Sequence, residues 1–133
     1  MTILSKKEIS NLQKDSSDIT NSLDMPSLTE ELSILEKESL KTDFWEDSNQ
    51  AKTVMNKISY IRETLDTVEK LNQDIQSLSE LFNSIKNESE QSQLLDEYQR
   101  LRKELNEFLL RKFLSGEYDS YPAVLTIFSG QGG

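Results

Sequence analysis

Residues 48–85 read SNQAKTVMNKISYIRETLDTVEKLNQDIQSLSELFNSI, and this stretch decides the fold. Its apolar side chains recur at alternating spacings of three and four residues, and no glycine or proline interrupts them. Such spacing is typical of an a/d seam along one helix, here sustained for about five heptads. The seam consists of Ala51, Val54, Ile58, Ile61, Leu65, Val68, Leu71, Ile75, Leu78, Phe82 and Ile85. The pattern predicts one long helix over 48–86, sealed by its own chain or by a second copy in a coiled coil.

A second seam begins after a short polar break at 87–89. It consists of Leu94, Tyr98, Leu101, Leu105, Phe108 and Lys112, with Leu95 and Leu109 beside it. A short break between two seamed helices favours an antiparallel hairpin. A shorter helix over 27–40 would cover the remaining length of the long one. The expected fold is therefore all-α: an elongated three- to four-helix antiparallel bundle around a long, coiled-coil-like central helix.

The N-terminal residues carry a weaker helical pattern. Over residues 5–23 the apolar positions are widely spaced, and Ser16 stands where a core residue would be expected. A helix that frays and a disordered segment are both compatible with residues 1–25. For the helix that follows, Asp24 or Ser27 could be the N-cap, and Ser27 with Glu30 fits a capping box.

A polar turn with two large aromatic side chains, DFWEDS at 43–48, separates the short helix from the long one. Asp47 or Ser48 can cap the long helix. We expect Phe44 and Trp45 to bury both rings as a hydrophobic plug across the end of the bundle. The alternative is an exposed aromatic hot spot that binds a partner.

Composition changes after the second seam. Gly116 can cap the helix C-terminus, Pro122 ends any helical option, and residues 124–128, VLTIF, favour a strand. We therefore expect a helical domain over 1–113, then a linker and the first strand of an incomplete second domain over 114–133. On this interpretation the chain is a truncated part of a longer protein.

The composition argues against catalysis and against metal or cofactor sites. The 133 residues include no histidine and no cysteine, so the usual general base, nucleophile and metal ligands are missing. There is no phosphate-binding glycine loop and no calcium-binding loop. We expect no catalytic, cofactor-binding or metal-binding residues, and a protein that is not an enzyme.

Charge and hydropathy restrict the partners. The net charge is −9, which disfavours direct nucleic-acid binding, since phosphate contacts need clustered lysine and arginine. The one locally basic segment, 100–112, is expected to be a solvated face with Arg100–Glu104 and Lys103–Glu107 pairs. No signal peptide and no apolar run of membrane-spanning length is present, so we expect a cytoplasmic protein without a membrane partner.

Three segments together resemble one family. They are residues 40–52, LKTDFWEDSNQAK; the seamed helix after them; and residues 113–119, FLSGEYD, followed by AVLTI at 123–127 and glycines from 130 to 133. In this order they are similar to the N-terminal region of bacterial peptide chain release factor 2. The resemblance covers roughly residues 24–133. The Ser-Gly-Glu-Tyr-Asp block is its more specific part, and the Asp-Phe-Trp turn favours factor 2 over factor 1.

The resemblance implies a part in stop-codon-dependent translation termination. In that family the first domain is a helical bundle that contacts the stalk base of the large ribosomal subunit, whereas the codon-reading tripeptide and the Gly-Gly-Gln motif lie further along. Neither motif occurs in this sequence, and the order in Gly130-Gln131-Gly132-Gly133 is different. The resemblance therefore implies a ribosome-docking domain without release activity. We expect this domain to be a monomer. The alternative is a generic coiled-coil module that oligomerises through residues 51–85.

Overall fold

The computed structural model describes residues 3–114, which form four α-helices and no strand. The helices are α1 (Lys6–Ser22), α2 (Met25–Ser39), α3 (Ser48–Phe82) and α4 (Glu88–Leu114), with a short 3-10 turn at Phe44–Glu46. The all-α expectation is confirmed. The predicted cap at Gly116 and the strand over 124–128 lie outside the described residues.

The chain divides into two compact units. The hairpin unit holds the described residues up to Ile19 and from Lys70 onward, and the turn unit is Thr20–Glu69. Within the hairpin unit, the Asp74 carboxylate of α3 lies 3.6 Å from the Arg100 guanidinium of α4, and only a short connection joins the two helices. Such a contact requires these two helical segments to run antiparallel, as the sequence predicts.

Most positions of both seams are buried within the single chain. The buried positions of α3 are Ala51, Val54, Ile58, Ile61, Thr64, Val68, Leu71, Ile75 and Leu78. Those of α4 are Leu94, Leu101, Leu105, Phe108, Leu109 and Lys112. Because these side chains are already removed from water in one copy, the seams need no second chain to cover them.

The long helix departs from its predicted pattern in two places. Thr64 is buried where the heptad pattern favours Leu65, and its hydroxyl donates to the carbonyl of Tyr60 at 2.9 Å. That bond satisfies the hydroxyl inside the helix, so the buried position needs no apolar residue. The helix ends at Phe82 rather than near residue 86, which leaves Ile85 in the connection to α4.

Residues 6–22 form helix α1. The sequence alone is compatible with either a fraying helix or a disordered segment over residues 1–25. A reciprocal capping box opens it: the Glu8 N–H donates to Ser5 Oγ at 3.1 Å, and the Ser5 N–H donates to Glu8 Oε1 at 3.2 Å. Ser16 is buried and donates to Asn72 Oδ1 at 2.5 Å. The serine that weakened the apolar pattern is thus a buried hydrogen-bonding residue.

The start of α2 corrects the predicted capping box. Asp24 is the N-cap, and its carboxylate accepts from the Ser27 N–H at 3.3 Å. Its backbone is left-handed, with φ of 50°, and Pro26 lies inside the first helical turn. The Ser27–Glu30 capping box is therefore wrong, because the helix has already begun at Met25.

Candidate docking surfaces

Within residues 3–114 there is no group of three or more acidic side chains placed to hold a metal ion. None of the helices in that range is both long and apolar enough to cross a membrane. The surfaces of this part of the chain are candidates for contact with another macromolecule.

Backbone hydrogen bonds hold the aromatic turn in place. The Leu40 N–H donates to the Lys37 carbonyl at 3.2 Å, and the Phe44 N–H donates to the Lys41 carbonyl at 3.1 Å. Asp47 then caps α3 by accepting from the Gln50 N–H at 3.1 Å, one of the two caps that the sequence allowed. Fixed backbone bonds on both sides hold the turn in one conformation.

Phe44 anchors this turn in the core of the turn unit. It is 8% exposed and lies in one cluster with Ala51, Val54 and Ile58 of α3. Leu32 and Leu35 of α2 and Met55 of α3 pack against the same cluster. The ring thus joins the turn to both helices of the unit, as expected for half of the predicted plug.

Trp45 contradicts the other half of that prediction. Its side chain is 65% exposed, and its ring meets Phe44 edge-on, with centroids 5.0 Å apart and planes at 89°. Leu40, five residues earlier, is 82% exposed. Consecutive residues of a 3-10 turn point in different directions, so only one of the two rings can enter the core. We call Leu40 and Trp45 the Trp45 surface.

An exposed tryptophan held against a buried phenylalanine has the properties of a binding anchor. Tryptophan is enriched among the residues that dominate binding energy at protein interfaces. Here the edge-to-face contact restricts the indole before any partner arrives, which lowers the entropy lost on binding. The sequence singled out this pair of residues but could not say which ring faces water.

Two ion pairs join α2 to α3 within the turn unit. Lys57 Nζ lies 2.6 Å from Glu31 Oε1, and Arg62 pairs with Glu36. All four side chains are largely exposed, so each pair stabilises the fold by about 1 kcal/mol or less. They secure the helices behind the aromatic turn without creating a charged site.

A polar cluster connects α1 with α4 in the hairpin unit. Arg102 Nη1 donates to Asp15 Oδ2 at 2.7 Å, and both side chains are mostly buried. The guanidinium carbon also lies 6.0 Å from the centre of the Tyr98 ring. Burial by itself lowers the pKa of Arg102, but hydrogen bonds with Asp15 and Tyr98 outweigh it, and the pKa is raised. The Arg102 side chain therefore has a structural role, because it joins α4 to α1 through Asp15.

The remaining cations of the basic segment are also engaged. The hydrogen bond of Arg100 with Glu97 raises the pKa of Arg100, and Glu104, which lies 2.6 Å from Arg100, raises it further. Lys103 lies 4.0 Å from Glu107, and Lys112 is buried with its ammonium 5.3 Å from the Phe108 ring centre. The two predicted i,i+4 pairs are confirmed. Phosphate groups would have to compete with these carboxylates for the same guanidinium and ammonium groups.

Comparison with known proteins identifies a matching domain family and several relatives that cover most or all of this chain. The PCRF domain model matches residues 28–133, which include the Trp45 surface, α3 and α4. A protein named peptide chain release factor 2 from Kineococcus radiotolerans is 32% identical over 136 residues, covering 100% of this chain and 37% of the relative. Proteins of the same name from Clostridium perfringens and Borreliella burgdorferi are each 31% identical, over 84% and 96% of this chain. The chain spans about a third of the length of these curated relatives.

Proposed function

The chain belongs to the PCRF domain family, and from this we propose that it acts in translation termination as the ribosome-docking part of a peptide chain release factor. The observation that carries the proposal is the match over residues 28–133, which takes in all of α3 and α4 and most of α2. The relatives named release factor 2 support the same assignment, with matches that cover 100% and 84% of this chain.

In this proposal the helices form a scaffold that presents an interaction surface to the large ribosomal subunit. On the strength of the family resemblance, we propose that this contact is made at the stalk base. The Trp45 surface is the part of the turn unit best suited to make it, since its tryptophan is exposed and its backbone is fixed. The chain would act in the cytoplasm as a monomer, with the boundary of the helical domain near residue 113.

The proposed docking site can be tested by co-sedimentation with bacterial large ribosomal subunits. We expect the double variant Leu40→Ser/Trp45→Ala to bind at least about tenfold more weakly, since it removes the exposed tryptophan and the exposed leucine at the end of α2. Ile34→Ser is the matched control, because Ile34 is also an exposed apolar residue of the turn unit. Equal binding by the double variant and the control would refute docking through the Trp45 surface.

We also propose that this chain does not release peptides by itself. The sequence has no histidine, no cysteine and no Gly-Gly-Gln motif, which leaves no evident group to activate or position water. The test is a release assay with peptidyl-tRNA on ribosomes that present a stop codon. We expect the purified chain to give only the background rate. Hydrolysis above background that rises with chain concentration would refute this.

A further inference from the structure

A second surface lies at the end of the hairpin unit, where α3 passes into α4. A groove of about 400 Å³ opens there, with Leu81, Ile85 and Leu94 among its lining residues. Glu90 and Glu97 also line it. We call it the hairpin-end groove. The PCRF assignment does not depend on it, and it belongs to a different compact unit from the Trp45 surface.

The apolar lining of this groove is open to solvent. Leu81 is 56% exposed although it lies in the last turn of α3, where Leu78 of the seam is buried. Ile85 is half-buried in the connection, beyond the end of the helix. The Ser84 N–H donates to the Leu81 carbonyl at 3.0 Å, which holds Leu81 and the connection together. A concave apolar surface with a fixed backbone is the kind of site that receives an apolar side chain from a partner.

The charge around the groove selects the chemistry of that partner. Its lining residues, as far as the structure describes them, include two glutamates and no lysine or arginine. Glu90 is held in place because its carboxylate accepts from the Lys86 N–H at 2.6 Å, while its own N–H donates to Asn87 Oδ1 at 2.9 Å. These two hydrogen bonds at the start of α4 fix the Glu90 carboxylate beside the groove. Glu97 is oriented by its pairing with Arg100.

We propose that the hairpin-end groove docks an amphipathic segment of a partner protein, with apolar side chains on one face and lysines or arginines beside them. The apolar side chains would contact Leu81 and Ile85, and the flanking cations would approach Glu90, since Glu97 already pairs with Arg100. Nucleic acid is disfavoured because its phosphates would face these carboxylates. A second copy of this chain is disfavoured because each copy carries a net charge of −9.

Binding can be measured on the full chain by fluorescence anisotropy. The probe is a labelled synthetic helical peptide with leucines along one face and lysines beside them. We expect saturable binding that weakens as salt is added. We expect Leu81→Ser to weaken it about tenfold and Glu90→Gln about threefold, since glutamine can still accept the capping hydrogen bond. A peptide with glutamates in place of the lysines is expected not to bind.

The controls separate the groove from the general charge of the chain. Glu107→Gln removes the same charge from an exposed part of α4, and Leu110→Ser removes an exposed leucine from that helix. Both are expected to bind the peptide as the unaltered chain does. If circular dichroism shows that Leu81→Ser disturbs the fold, Gln93→Lys is used in its place. Its lysine puts a positive charge in the same groove, and this charge is expected to repel the lysines of the peptide.

Absence of peptide binding would overturn the proposal. Equal losses in the groove variants and the controls, or binding of the glutamate peptide, would also overturn it. The assay contains no ribosomes, so its failure leaves the proposed docking through the Trp45 surface intact. Conversely, failure of ribosome binding would leave a positive peptide result unaffected.

Discussion

Phe44→Ala is expected to lower the free energy of unfolding by about 3–5 kcal/mol, the range for large aromatic side chains removed from cores. Phe44 is the one residue of the 3-10 turn that enters the core of the turn unit. Its loss would leave a cavity beside Ala51, Val54 and Ile58. Urea denaturation followed by circular dichroism at 222 nm, a wavelength that reports helix content, measures the loss directly.

The adjacent residue is the control for this prediction. Trp45→Ala should cost less than about 1 kcal/mol, because Trp45 is 65% exposed and buries little area in the isolated chain. The two variants therefore differ strongly although their positions are consecutive. Equal stability losses at Phe44 and Trp45 would mean that both rings are buried, as the sequence alone led us to expect.

The second large effect is expected where α1 meets α4. Asp15→Ala leaves the Arg102 guanidinium mostly buried without its carboxylate partner. Removing one partner of a buried charged hydrogen bond costs about 2–3 kcal/mol, since the remaining charge keeps its desolvation penalty. The free energy of unfolding measured in urea is again the observable. Asp18→Ala, which removes the same charge from the same helix outside this pair, should cost less than about 1 kcal/mol.

A double variant distinguishes a lost ion pair from lost packing. With Arg102→Met present as well, no uncompensated charge remains, and we expect part of the stability lost in Asp15→Ala to return. If the losses of the two single variants simply add, the pair is not coupled, and the contribution assigned to the 2.7 Å contact is wrong.

The helices that carry a strict apolar period were predictable from sequence. The seams of α3 and α4 were identified almost residue by residue because periodic burial depends on local geometry. One exception follows from hydrogen bonding: Thr64 is buried in place of Leu65, and its hydroxyl is satisfied by the carbonyl of Tyr60. The other exception is that α3 stops before Ile85.

Features that depend on distant residues were not predictable. Ser16 is separated from Asn72 by 56 positions, so no local pattern could show that it is buried and hydrogen-bonded.

The capping box of Ser5 and Glu8 has the same Ser-x-x-Glu spacing as the pair Ser27 and Glu30, yet only the former is formed. Asp24 starts the next helix earlier and takes over the cap.

The candidate site was half predictable. The sequence placed two aromatic residues in a polar turn, which was enough to single out Phe44 and Trp45. Which ring is buried depends on the direction of successive side chains in the 3-10 turn and on the position of α3 beneath it. The hairpin-end groove depends on where α3 ends. The apolar pattern predicts a helix that continues to residue 86, whereas α3 ends at Phe82.

The left-handed backbone at Asp24 leaves that position little freedom to vary. Glycine would adopt the same dihedral angles without strain but would remove the carboxylate that receives the Ser27 N–H. Serine or threonine would supply an acceptor oxygen but disfavours positive φ. Only aspartate and asparagine meet both requirements, so the joint between the first two helices is a poor place for engineered insertions or loop grafts.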